Sequence, residues 1–577
     1  MAIGSAFNIG RSALQASQLG VQVASNNLAN AATPGYARQV LGLEAVPGAG
    51  ASTSIGRGVQ FTGVRRQIDE ALNARLNGAI SDAAAAQEAT RILGSIETSL
   101  NELTDLDLSS ELGSFFTSFS ELANGTQSQS QVIEQGELLA GFMRRLRSDL
   151  VDQRTQLDDR LGALVEQADA RATEIAALNG EIVRTEGGGI TTNNPLRDRR
   201  DELVRELSQL VDISTVEQAS GALDVLVGSS PVVLGARSQG IELREIPAGD
   251  TVERRISVTA TGQVLDVTAG EIGGVLSSRD GELDSMIGTL DQLAGALINE
   301  INGLHATGAT AAGLTSASSA LVISPTDQPL ALSDPLNRTL AELDFPPTNG
   351  GFLVRVVDEA SGAVSTTRID IDLDGIDNTG AAGFGDDTSI QDIAAALDAV
   401  NGLAASVGSD GRLAGNASQG TSFTFGDDTS GVLAALGVNS YFTGTDAGDI
   451  AVRDELRGSP SLLMTGRYAE GSFVENGTAL EIAGIQNTAV ESLGGESAAG
   501  FWRTAVQTFS VRAGSAQTVA EATAIVRDGL ESERLAVSGV DTDEETLSLI
   551  QFQRQYQGAA RIISTTNQLL DELFAIV

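Results

Sequence analysis

The chain has 577 residues and a net charge of −40, with no cysteine, one histidine and 36 basic residues, all of them arginine. A cysteine nucleophile, a thiolate metal site, a Schiff-base lysine and a phosphate-loop lysine are therefore excluded. The acidity argues against nucleic acid or an anionic membrane as a partner, and no run approaches the ~20 apolar residues that span a bilayer.

The first residues lack the basic region and continuous apolar core of a cleaved signal, and residues 1–37 carry one charge, Arg11. Within them Phe7, Leu14, Val21 and Leu28 recur every seven residues, and Ile3, Gly10, Ser17, Ala24 and Ala31 fill the alternate spacing. A heptad stripe on a helix needs a partner helix. Pro34-Gly35 then ends the helix in a turn before Tyr36.

No proline occurs in 48–194, so a long helix is expected there. Leu157, Leu161, Leu164, Ala168, Ile175, Leu178 and Ile182 fall at helical spacing in Gln131–Arg184, a helix of ~80 Å. Gly187-Gly188-Gly189 ends it. A second helix is predicted from Asn194 to Val211, with Asn194 as the cap and Pro195 at its first position. It turns Leu196, Leu203, Leu207 and Leu210 inward and Arg197, Asp198, Arg199, Arg200, Asp201 and Glu202 outward.

Between 212 and 275 the period shortens. Val225-Leu226-Val227, Val232-Val233-Leu234 and Ile256–Thr259 predict short strands and hairpins. Helical periodicity returns over 280–306, and His305 reads as a histidine near a helix end, not a catalytic base. Residues 310–455 are rich in Gly, Thr and Asp, with strand-like Phe352–Val357. Phe-Gly-Asp-Asp-Thr-Ser occurs at 384–389 and again at 425–430, read as two hairpin corners of one β domain. Asp370, Asp372, Asp374 and Gly375 resemble the opening of a calcium loop, but Ala381 stands where a bidentate Glu should close it. The alternation in 368–374 predicts a strand with an acidic outer face, so no metal or cofactor is expected. The proline-free tract 461–577 finishes on a second stripe: Leu549, Phe552, Tyr556, Ala559, Ile563, Thr566, Leu570, Leu573 and Val577.

The expected fold is α+β and multidomain. The terminal helices form a coiled-coil-like layer (1–65 with 538–577), and both arms supply a long helical bundle (66–211 with 276–308 and 456–537). β-rich domains are inserted in the middle at 212–275 and 309–455. The ends are thus read as the assembling surface, through Phe7, Leu14, Val21, Asn26, Asn27, Leu28, Leu549, Phe552, Tyr556, Ile563, Leu570 and Leu573. Paired carboxylates are too common among 76 acids to mark an enzyme.

The segment Ala24-Ser25-Asn26-Asn27-Leu28-Ala29-Asn30-Ala31-Ala32-Thr33-Pro34-Gly35-Tyr36-Ala37-Arg38 resembles the N-terminal signature of flagellar rod, hook and hook-associated proteins. Three other segments resemble motifs of the hook-associated members: Pro195-Leu196-Arg197-Asp198-Arg199-Arg200-Asp201-Glu202-Leu203, then Gly273-Gly274-Val275-Leu276, and Ser538–Glu545 with Phe552-Gln553 and Tyr556. The chain departs at Asp541-Thr542-Asp543, where the family often has Asn-Leu-Asp. The resemblance implies a structural subunit outside the cell, in a homo-oligomeric ring between hook and filament. It implies export by the flagellum's own type III apparatus. Its implied partners are hook protein, the next hook-associated protein, and a cytoplasmic export chaperone on the C-terminal helix. A hook or distal-rod subunit is the nearest alternative. A secreted adhesin-like β protein with coiled-coil ends is a further one, and would require ion-dependent folding.

Overall fold

The computed structural model describes residues 2–47, 56–100, 107–187, 192–248, 251–377, 379–469 and 472–576. Gly188, Gly189, Val577 and the side chain of Leu573 lie outside the described residues. In chain order, α1 (Ala2–Ala29) leads to the hairpin β1 (Gln39–Ala45) and β2 (Val59–Arg66), then α2 (Glu70–Leu100), α3 (Leu108–Ala123), α4 (Gln129–Glu186) and α5 (Asn194–Leu210). Strands β3 (Ser214–Glu217), β4 (Leu223–Val227), β5 (Ser230–Leu234), β6 (Arg237–Ser238), β7 (Ile241–Ala248) and β8 (Thr251–Val258) precede α6 (Gly270–Ser277) and α7 (Asp284–Ala306). Next come β9 (Ser316–Ser318), α8 (Arg338–Ala341), β10 (Gly350–Asp358), β11 (Val364–Ile371), α9 (Ile390–Asp398), β12 (Leu403–Val407), β13 (Leu413–Ala417), β14 (Thr421–Gly426), α10 (Val432–Ala435), α11 (Asp454–Gly458) and α12 (Gly477–Ile485). The chain closes with α13 (Ala498–Ser538) and α14 (Thr542–Ile576). Among the described residues no helix is long and apolar enough to cross a membrane.

Two compact units result. The first comprises Met1–Leu93, Gln156–Arg279 and Ala513–Val577; the second comprises Gly94–Thr155 and Asp280–Arg512.

In the first unit β3, β4, β5 and β6 form an antiparallel sheet in sequential order, and β7 pairs with β8. Leu223, Val225 and Val227 bury one face of β4, as alternation requires. The cap of α5 is Asn193, whose side chain accepts from Leu196 N–H, so Asn194 occupies the first helical position. Two charges expected on the outer face of α5 are buried: Asp198 is 7% exposed and Arg200 1%. They tolerate burial because they are paired. Arg66 Nη1 donates to Asp198 (3.0 Å) and Asp201 (2.6 Å), and Arg200 Nη1 donates to the Gly221 carbonyl at 2.7 Å.

In the second unit β10 lies between β11 and β14, and β13 between β12 and β9. Phe352, Val354 and Val356 alternate into a core shared with Ile369, Ile371, Phe423, Phe425 and the buried face of α9. The expected acidic strand ends at Ile371; Asp372 and Asp374 lie in the following loop, with carboxylate oxygens within 4.8 Å of one another and of Asp387. The two Phe-Gly-Asp-Asp-Thr-Ser copies are helix starts and not hairpin corners. Ser389 and Asp392 form a capping box on α9, and Asp428 accepts from the N–H groups of Ser430, Gly431 and Leu433 at the head of α10. Both copies supply an oxygen to otherwise unpaired N–H groups.

His305, near the end of α7 as expected, is fully buried beside Tyr441. Nδ1 lies 2.6 Å from the Asn439 carbonyl, and Nε2 accepts from Met464 N–H at 3.1 Å. Both nitrogens are satisfied by one neutral tautomer. Burial depresses the imidazole from 6.5 to about 4. The unfolded chain therefore takes up the proton first, so this contribution is full above the unfolded value of 6.5 and is lost as pH falls toward 4. Across that window wild type is expected to lose about 1.4 kcal/mol per pH unit relative to His305→Gln. Urea denaturation of both proteins at several pH values measures the difference; parallel pH dependences would refute it.

Candidate assembly surface

α1 and α14 pack against each other in the first unit, and the small residues of α1 set their spacing. Gly10 lies opposite Ile562 and Ile563, and Gly20 opposite Phe552, so the helices run antiparallel. A Cβ at Gly20 would sit 2.5 Å from the Phe552 ring; only glycine admits that approach. Ala16, Ser17, Ala24 and Asn27 are buried along the same face. Of the two rows read from the sequence, the small-residue row thus makes the seam within the chain. Phe7, Leu14 and Val21 flank it half-buried, and Leu28 is 40% exposed.

On α14, Glu545, Ala559 and Thr566 are buried, while Leu549, Phe552, Ile563 and Leu570 are half-buried and Tyr556 is 42% exposed. Leu547, Ile550 and Leu569 turn away from α1 and are also exposed. α14 therefore carries apolar side chains that α1 leaves uncovered, set among Arg554, Arg561 and Glu572.

The signature residues following α1 lock the chain's exit from that helix. Asn26 Nδ2 donates to the Tyr36 hydroxyl at 3.1 Å, and that hydroxyl donates to Asn27 Oδ1 at 2.8 Å. Asn27 then behaves as a strand neighbour of Gln39: its Oδ1 accepts from Gln39 N–H (3.0 Å) and its Nδ2 donates to Gln39 O (2.9 Å). Burial and the nearby Asp198 push the Tyr36 hydroxyl up to about 12, which keeps its proton in place for donation. Gly35 makes the turn at φ +75°, a conformation that favours glycine.

Arg38 joins the two ends. Its Nε donates to Glu545 at 2.7 Å, Nη1 to Glu544 at 2.8 Å, and its backbone N–H to the Ser538 carbonyl at 2.9 Å. Sequence reasoning passed over Arg38 as a site residue. The available signal was its position as the first charge after Arg11, with an acidic first turn on α14; acids there also suit the helix dipole. Among the described residues α1, α14 and the signature segment after α1 bring no nucleophile beside a base. The site offers a surface.

Three family models match the chain. "Flagella basal body rod protein" covers residues 7–36, "Flagellar hook-associated protein FlgK helical domain" covers 93–318, and "Flagellar basal body rod FlgEFG protein C-terminal" covers 531–576. Flagellar hook-associated protein 1 of Escherichia coli strain K12 is 25% identical, and that of Salmonella typhimurium 28%, each over 100% of both chains. The Bacillus subtilis protein of the same name is 28% identical over 52% of this chain and 67% of its own. The solved flagellar hook junction protein FlgK of Burkholderia pseudomallei aligns at a TM-score of 0.48 and 15% identity, covering 81% of this chain and 100% of that one.

Proposed function

We propose that this chain, similar over its full length to flagellar hook-associated protein 1 and matched over 93–318 by the helical-domain model, is a structural axial subunit joining hook to filament and that it assembles through α1 and α14. The observation that carries the reading is the apolar surface α14 leaves outside its seam with α1. Leu547, Ile550 and Leu569, exposed at 61%, 42% and 49%, are side chains that neighbouring subunits would cover. Phe7, Leu14, Val21, Asn26, Leu28, Tyr556, Ile563 and Leu570 border that surface, whereas Asn27 and Phe552 hold α1 in place behind it.

The partners follow the same logic. Copies of the chain in a ring, hook protein on one side and the next hook-associated protein on the other would bury these faces outside the cell. Before type III export, a cytoplasmic chaperone would cover the other face of α14, around Phe552, Tyr556 and Ile563, in place of α1. A hook or distal-rod role is the second reading, since the rod models match the two ends; the match at 93–318 favours the junction.

Replacing Leu547, Ile550 and Leu569 together with Asp leaves the α1 seam in place and puts charge at these three exposed positions. Cells carrying this variant are expected to export it, keep their hooks and lose their filaments. Electron microscopy with exported protein levels matched reads the outcome. Normal filaments would remove these residues from the junction, and missing hooks would move the protein to an earlier axial position.

A further inference from the structure

The second unit contains a cavity of about 330 Å³ lined by one face of α7, by β10 and by the strand segment around Tyr468. That volume falls at the lower end of the range that encloses small ligands, about 300–1,000 Å³. Gly303 lines it from the interior of α7, where glycine costs about 1 kcal/mol against alanine. A Cβ built there meets nothing within 4 Å, so close packing does not account for the glycine. It leaves that part of the wall without a side chain. Gly426, another lining residue, likewise faces empty space.

Half the charges of the lining are matched internally. Arg467 pairs with Glu481, and Asp428 is occupied by the N–H groups heading α10. Arg355 is different: among the described residues no carboxylate pairs with it, and its guanidinium lies 4.3 Å from the centroid of the Tyr468 ring. Glu300 on α7 also has no arginine partner among the described residues. Burial raises its carboxyl, partly offset by a hydrogen bond with Asn299. Asp427 adds a carboxylate held at φ 45°, a conformation rare for any residue but glycine. Leu304, Leu353 and Phe425 supply apolar lining.

We propose that this cavity binds a small amino-acid zwitterion with an apolar side chain. Its carboxylate pairs with Arg355, its ammonium with Glu300 and Asp427, and its side chain lies against Leu304, Leu353 and Phe425. The charges decide the class. A simple anion would be repelled by the two carboxylates, and a simple cation by Arg355. A zwitterion answers both.

Titration calorimetry of the full chain with L-leucine, 4-methylpentanoate and 3-methylbutylamine tests this. L-leucine is expected to bind saturably, and each single-charge analogue at least ~10-fold more weakly. Arg355→Gln should lose roughly 10- to 100-fold in affinity. Gly303→Ala should bind as wild type and melt at a higher temperature, whereas Gly303→Phe should keep the helical signal and lose binding. No saturable binding of L-leucine would overturn the proposal. So would equal binding of either analogue, or unchanged binding in Arg355→Gln and Gly303→Phe.

Discussion

Gly20→Leu is expected to abolish swimming while leaving export intact. The first added carbon would already lie 2.5 Å from the Phe552 ring, and a leucine extends further into α14. Overpacking of this kind costs typically 1–3 kcal/mol. A terminal helix draws most of its stability from the face it packs, so a loss of that size is enough to free it. Faster amide exchange in α1 and α14, with no change in the second unit, is the expected physical signature. Phe552→Ala alone removes ring contacts from the seam. Combined with Gly20→Leu it should restore part of the packing, with a coupling of at least ~1 kcal/mol. Normal motility of Gly20→Leu at matched exported levels would mean that the junction does not need this seam.

The second large effect is expected at Arg66. Its side chain is 6% exposed and bridges Asp198 and Asp201, exposed at 10% and 25%. Burial lifts the Asp198 carboxyl above its ordinary value even with Arg66 pulling it down. The same two carboxylates outweigh burial on the arginine and raise it. Arg66→Met leaves Asp198 without its cation, and breaking a buried pair from one side costs about 3–5 kcal/mol. In the variant the folded value of Asp198 rises further. Its share of stability is then present below the unfolded value and lost as pH rises through the folded one. The deficit should accordingly be large at neutral pH and shrink in acid. Denaturant melts of Arg66→Met and of Arg66→Met with Asp198→Asn measure this. A deficit independent of pH, or no recovery in the double variant, would show that the charge pair is not the cause.

Regular periodicity made much of this molecule readable. The 58-residue α4, predicted over Gln131–Arg184, runs Gln129–Glu186, because a tract free of proline with apolar residues every three or four has no competing fold. The partnership of the ends was legible for the same reason. The row that forms the seam was harder to choose, because hydrophobicity ranks Phe7 and Leu14 above Gly10 and Gly20. Distance between backbones reverses that order, and distance is a property of two helices together. Arg200 and Asp198 were placed outside by their charge; their partners Arg66 and Gly221 come from other elements and cannot be seen along α5. The repeated Phe-Gly-Asp-Asp-Thr-Ser looked like turns because Asp, Thr and Gly serve turns and helix caps alike. The zwitterion cavity left no pattern in the sequence, since its walls come from segments scattered between Asn299 and Glu481.

The bond from Arg38 to Glu545 spans 507 positions and belongs to the same pairing of the two ends as Gly10 against Ile563. Closing so long a loop carries an entropic cost that grows with the logarithm of its length. The seam must also wait until both helices have been delivered. If the chain travels unfolded, α1 meets its cover only after everything between them has passed. A product cut short anywhere before α14 would leave Gly10, Gly20 and Ala24 facing water, whatever the quality of its middle. The order of the chain thus acts as proofreading, because polymer topology withholds the finished surface until the last helix arrives.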